Sequence, residues 1–95
     1  MSDLKINTYP WQTGVQEVVA AVEFVARSKA PLVEFGMEGN AAAAAREAAD
    51  FGWLEFVANG VVQITQTGRH LAMEKDPVGM AMNTAAIRKM LEVRV

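Results

Sequence analysis

Two runs of β-forming residues, Trp53–Val57 and Val61–Thr65, flank the triplet Ala58-Asn59-Gly60. An Asn-Gly pair between alternating apolar runs is the strongest short-range hairpin signal a sequence carries, because both residues tolerate the positive φ of a type I′ turn. The chain is therefore expected to form a β-hairpin over roughly Leu54–Ile64, with a type I′ turn at its tip. This restricts the rest of the fold. One hairpin is marginal in water by itself, so the flanking sequence, which is helical in character, must cover it.

The first helix is expected from about Gly14 to Ser28. Thr13 and Gln16 have the spacing of a capping box, and Val15, Val18, Val19, Val22 and Val25 recur on one stripe, with Glu17 and Glu23 on other faces. Valines are mediocre helix formers, so packing has to hold this element. Tyr9, Pro10 and Trp11 precede it in an extended arm. Pro31 suits the first position of a short second helix reaching Phe35. Gly36-Met37-Glu38-Gly39 reads as a tight turn, Asn40 as the N-cap of a third helix to Phe51, and Gly52 as its C′ residue. Thr65 or Thr67 then caps a helix through Leu71 and Met73 to about Lys75, which Pro77 and Gly79 end. A last amphipathic helix, about Asn83 to Arg94, places Ala86, Ile87, Met90 and Leu91 on one side.

Ninety-five residues make one domain, divided as an arm (1–13), a core (14–75) and a C-terminal helix (78–95). A hydrophobic share of 52% argues against disorder and leaves apolar surface for a partner. The absence of cysteine removes disulfides, thiolate metal sites and cysteine nucleophiles. Met1–Gly14 has no apolar h-region, and no apolar run approaches the roughly 20 residues of a membrane span, so a soluble cytoplasmic protein is expected, with no membrane partner. No phosphate loop or nucleophile–base arrangement is visible. His70 and Glu74 have an i, i+4 spacing two metal ligands could use, but no third ligand accompanies them. Neither an enzyme nor a cofactor or metal site is expected.

The order of elements, with Phe51-Gly52-Trp53-Leu54 before the hairpin and Ile64-Thr65-Gln66-Thr67-Gly68-Arg69 after it, resembles the winged helix-turn-helix family, MarR-like regulators in the broad sense. The likeness covers about Gly14 to Lys75. It implies an α+β, mainly α fold in which the third helix enters the DNA major groove and the hairpin tip, the wing, touches the backbone or minor groove. Carried over, the contacts would be Asn40, Ala43, Ala44, Arg46 and Glu47 on that helix and Asn59 and Gly60 at the tip, with Arg27, Lys29 and Arg69 on phosphates.

Charge pulls against this. The net charge is −2, and Trp53–Thr67 contains no Lys or Arg, although non-specific DNA affinity is mostly electrostatic. Two readings stand. The first is a small DNA-binding regulator of transcription using residues 40–51. The alternative is a protein-interaction module, an adaptor or inhibitor on a nucleic-acid-processing complex, docking through Trp11 or through Met80, Met82, Ile87, Met90 and Leu91, which could also form a homodimer.

Overall fold

The computed structural model describes residues 9–94, with side chains to residue 92. Its elements are α1 (Val15–Arg27), β1 (Val33–Glu34), α2 (Asn40–Asp50), β2 (Leu54–Ala58), β3 (Val61–Ile64), α3 (Gln66–Met73) and α4 (Pro77–Arg94). The fold is α+β and mainly α. Residues 1–8 of the expected arm lie outside the described residues, as does Val95.

The valine stripe does what its spacing predicts. Val18, Val19, Val22 and Val25 are buried, and α1 packs against α2, α3 and α4. Val18, Val22, Leu54 and Val62 are the largest fully buried side chains, each worth about 1.5–3 kcal/mol of transfer free energy. The expected Thr13–Gln16 box does not form. Gly14 is the N-cap, with no side-chain cap bond, because Glu47 engages the Thr13 hydroxyl instead.

The expected helix at Pro31–Phe35 is a strand. Val33 pairs with Val62 and Glu34 with Val61, antiparallel, giving a sheet in the order β1-β3-β2. Five residues are too few to nucleate a helix on their own, whereas Val33 gains a buried place beside Val62. With the second helix absent, α2 has no helical partner across the Gly36–Gly39 turn. The two-helix part of the helix-turn-helix pattern is not present among the described residues.

Helix α2 starts at Asn40 itself, so its cap lies one residue earlier than expected, at Gly39. Its end follows expectation. Gly52 has φ +84°, and its N–H donates to Ala49 O at 2.9 Å while Trp53 N–H donates to Ala48 O at 3.0 Å. This doubly bonded left-handed stop satisfies two orphan carbonyls.

The hairpin pairs Leu54 with Ile64, Glu55 with Gln63 and Phe56 with Val62, with a bulge that leaves Val57 unpaired before Ala58 meets Val61. Its turn is not type I′. Only Gly60 has positive φ (+74°), whereas type I′ requires it at both central residues. The third strand decides this geometry: Phe35 N–H (2.7 Å) and Gly36 N–H (3.3 Å) both donate to the Gly60 carbonyl, which must therefore face β1.

After the hairpin, Thr65 locks the junction. It is the N-cap of α3, its hydroxyl oxygen accepts from Gly68 N–H at 3.0 Å, and its hydroxyl donates to Gly52 O. Gly68 lies so close to Trp53 that a Cβ there would sit 2.0 Å from the Trp53 carbonyl oxygen. The two sequence segments on either side of the hairpin are thus two halves of one contact. Pro77 does not end a helix but begins one. Asp76 accepts from Gly79 N–H at 3.0 Å, and Pro77 takes the first helical position, where its missing N–H is not needed. Helix α4 thereby starts six residues before the expected Asn83.

Candidate interaction surfaces

Helix α2 divides its candidate contacts between inside and outside. Ala42, Ala45 and Ala48 face the core, and Ala44 and Glu47 are buried too. Both are thereby removed from the set of DNA contacts. Ala44 is turned toward α1 by the tight packing of the two helices. Glu47, 7% exposed, accepts from Gln12 N–H (3.2 Å), Thr13 N–H (3.4 Å) and the Thr13 hydroxyl (3.2 Å). A buried carboxylate is tolerated when its oxygens are satisfied in this way. The bonds span 34 and 35 residues of sequence, so local pattern could not have revealed them. They pin residues 12–13 across α2.

The arm is held by aromatic packing as well. Tyr9 meets Trp11 edge-on at 4.9 Å and Phe51 at 5.2 Å, while Phe51 stacks on Trp11 at 5.3 Å and on Trp53 at 4.8 Å. Pairs of this kind contribute about 0.5–1.5 kcal/mol beyond their burial. Trp11, expected as a docking anchor, is instead half-buried in this stack. Arg88 of α4 covers its edge, 4.8 Å from the Phe51 centroid, and binds Asp50 through both the carboxylate (3.2 Å) and the backbone carbonyl (3.1 Å).

Burial raises the Tyr9 pKa above its ordinary value, with the Glu47 carboxylate adding to the effect. Tyr9 is the only tyrosine in the chain, so phenolate absorbance reports it directly. A folded-state pKa above the unfolded one favours the neutral phenol. That contribution is complete below the ordinary tyrosine pKa of about 10 and is lost as pH rises from there through the folded pKa. Glu47→Gln should bring the titration back toward the ordinary value. A midpoint at the ordinary value in the unmodified protein would contradict this placement.

The outward side of α2 opens on two grooves. One, of about 400 Å³, is lined by Gly36, Met37, Arg46 and the hairpin residues Phe56–Gly60. Here the structure brings together Arg46 and Asn59, which the sequence proposed as contacts, and Arg46 Nη1 donates to Met37 O at 3.2 Å. Gly60 belongs to the floor rather than the rim, since a Cβ there would lie 2.8 Å from Gly36 O. It is therefore withdrawn as a contact. Asn40 and Ala44 line a different groove, of about 550 Å³, between α1, α2 and β1, together with Glu17, Ala20, Phe24, Glu34 and Phe35. Ala43 is half-buried. Arg27, Lys29 and Arg69 are exposed, but none of them lines either groove.

Helix α4 carries the other surface. Ala81 and Ala85 are buried against the domain, whereas Met80, Met82, Ile87, Met90 and Leu91 are 38–58% exposed. At 100° per residue, Met80, Ile87, Met90 and Leu91 form one row opposite the buried alanines, with Asn83 among them and Met82 to one side. The sequence identified Ile87, Met90 and Leu91 as one face. It named Met80 and Met82 in the same candidate interface, but with a helix expected only from about Asn83 it could not put Met80 on that helical face.

No helix among the described residues is long and apolar enough to cross a membrane, and no three metal-ligating side chains cluster among them. No protein-family model, curated protein or solved structure matches the chain.

Proposed function

We propose that this domain is a winged-helix-type protein-interaction module that pairs with a second copy of itself through α4. The exposed apolar row Met80–Ile87–Met90–Leu91 carries this reading. An ordinary interface takes about 800 Å² from each partner, roughly 60% of it apolar. Four large side chains about half exposed, flanked by Met82 and Ala86, supply apolar area of the order of 400 Å², the scale of a functional patch. The row suits its own copy: its one polar member is Asn83, and Arg88 is engaged with Asp50 and Glu92, so two rows meet without opposed charges.

Sedimentation across a concentration series should show a monomer–dimer equilibrium. Ile87→Glu with Leu91→Glu, both at exposed positions, should leave a folded monomer. A wild-type chain that stays monomeric at high concentration, or a variant that still dimerises, overturns the reading.

A second reading, a small DNA-binding regulator, is favoured by the shared groove of Arg46 and Asn59 between α2 and the hairpin. It predicts retention on generic duplex DNA at about 50 mM salt, weakened by Arg46→Ala. A wing without Lys or Arg supplies little of the phosphate neutralisation such binding draws on.

A further inference from the structure

The groove between α1, the start of α2 and β1 has two properties that belong together. Its lining is mostly apolar, from Ala20, Ala21, Phe24, Phe35, Ala41 and Ala44, and two carboxylates, Glu17 and Glu34, stand at it. Phe24 is 59% exposed although it meets Phe35 edge-on at 6.0 Å. Its ring therefore covers the Phe35 side of the groove and leaves the rest open.

The second property is a sheet edge. In the order β1-β3-β2, β1 is an outer strand with no neighbour on its far side among the described residues. Phe35 N–H points at β3, since it donates to Gly60 O. Backbone groups alternate in direction along a strand, so the N–H and C=O of Glu34 point away from β3, to the open side. Glu34 and Phe35 also wall the groove. An unpaired strand edge beside an apolar slot is the arrangement that takes an added strand, with main-chain hydrogen bonds for affinity and a pocket for alternate side chains.

We infer that β1 and this groove bind an extended segment of another protein whose apolar side chains alternate with Lys or Arg. The segment pairs with the Glu34 backbone, sets an apolar side chain between Phe24 and Ala41, and places its cations at Glu17 and Glu34. Charge selects this occupant. The wall of the groove is acidic and, among the described residues, no basic one lines it, so an acidic segment or a nucleic-acid backbone meets like charge. This surface is independent of α4 pairing.

The test uses the full chain and a synthetic capped peptide, Lys-Leu-Lys-Val-Lys, followed by backbone amide shifts. Saturable shifts are expected at Phe24, Glu34, Phe35 and Ala41, with a Kd below about 1 mM. The peptide with Glu in place of Lys should not bind. Glu17→Gln with Glu34→Gln should weaken binding about fivefold, the scale of two partly exposed charge contacts. Ala20→Lys, at an exposed position, should keep the fold and abolish binding. N-methylation of alternate peptide amides should abolish it in one of the two phases only. The Ile87→Glu, Leu91→Glu chain should bind equally well, which separates this result from the fate of the dimer. Absence of saturable shifts, equal binding of the acidic peptide, or insensitivity to both phases of N-methylation overturns the inference. Shifts at the same residues on raising protein concentration alone would assign the groove to a second copy and overturn it too.

Discussion

Gly68→Ala should destabilise the domain by about 3 kcal/mol, the upper part of the range for forcing atoms into a packed site. The sign is what makes the experiment decisive. Gly68 lies within α3, and replacing glycine by alanine inside a helix ordinarily stabilises by up to about 1 kcal/mol. Here the new methyl would fall 2.0 Å from the Trp53 carbonyl oxygen and 3.0 Å from Ile64 Cγ1, so α3 must move off the hairpin. That movement also draws the Gly68 N–H from the Thr65 hydroxyl and opens the Thr65–Gly52 bond. Thermal unfolding should fall by more than about 10 °C for a domain of this length. A stabilised variant would show that α3 does not press on Trp53 in this way.

Trp53→Ala should be as severe, about 3–5 kcal/mol. Trp53 is 2% exposed, stacks on Phe51 at an interplanar angle of 12°, and so ends a column of rings that begins at Tyr9. Small domains have about 5–15 kcal/mol of stability in total, so this single truncation removes much of it. Urea unfolding should show a large fall in midpoint at unchanged slope. Trp53→Phe should recover most of the loss, since a ring still meets Phe51. A loss below about 1 kcal/mol would mean that the column contributes little.

Where the fold was legible in the sequence, short-range signals and tertiary packing asked for the same thing. The α1 valines, the Gly52 stop of α2, the hairpin and the Thr65 cap all combine a local preference with a buried partner. Three of the errors share one cause, a distant partner that outweighs a local signal. Thr13 gives up Gln16 for Glu47, Val33 gives up a helical turn for Val62, and the Asn59-Gly60 turn gives up the type I′ geometry while the Gly60 carbonyl accepts from Phe35 and Gly36. Pro77 misled because proline both ends helices and starts them. The Asp76 side chain that decides between the two is visible in sequence only to a reader who already expects a helix there.

The candidate contacts were legible less evenly. Arg46 and Asn59 were both candidate contacts in the sequence, but the groove they share depends on the turn between β1 and α2, which supplies Gly36 and Met37 and which no local pattern predicts. Glu47 and Ala44 are contacts that the family resemblance nominates, and helical periodicity could not exclude them because it gives spacing but not the width of the buried stripe. An alanine-rich helix approached by α1 on one side and by the 12–13 segment on another buries more of its circumference than a single-sided stripe predicts. The acid-rimmed groove left no trace in the pattern at all, since its walls come from three separate elements.

The grip of Arg88 on Asp50 and Phe51, with Ala81 and Ala85 buried, fastens α4 along the domain as a strut instead of leaving it a tethered appendage. If two chains join along their struts, both β1 edges are held at a set distance and angle. A target carrying two suitable strands at that separation would then be engaged by both sites at once, its second site meeting a high effective concentration. Loosening the strut, as in Arg88→Ala, would leave each site intact while removing that avidity.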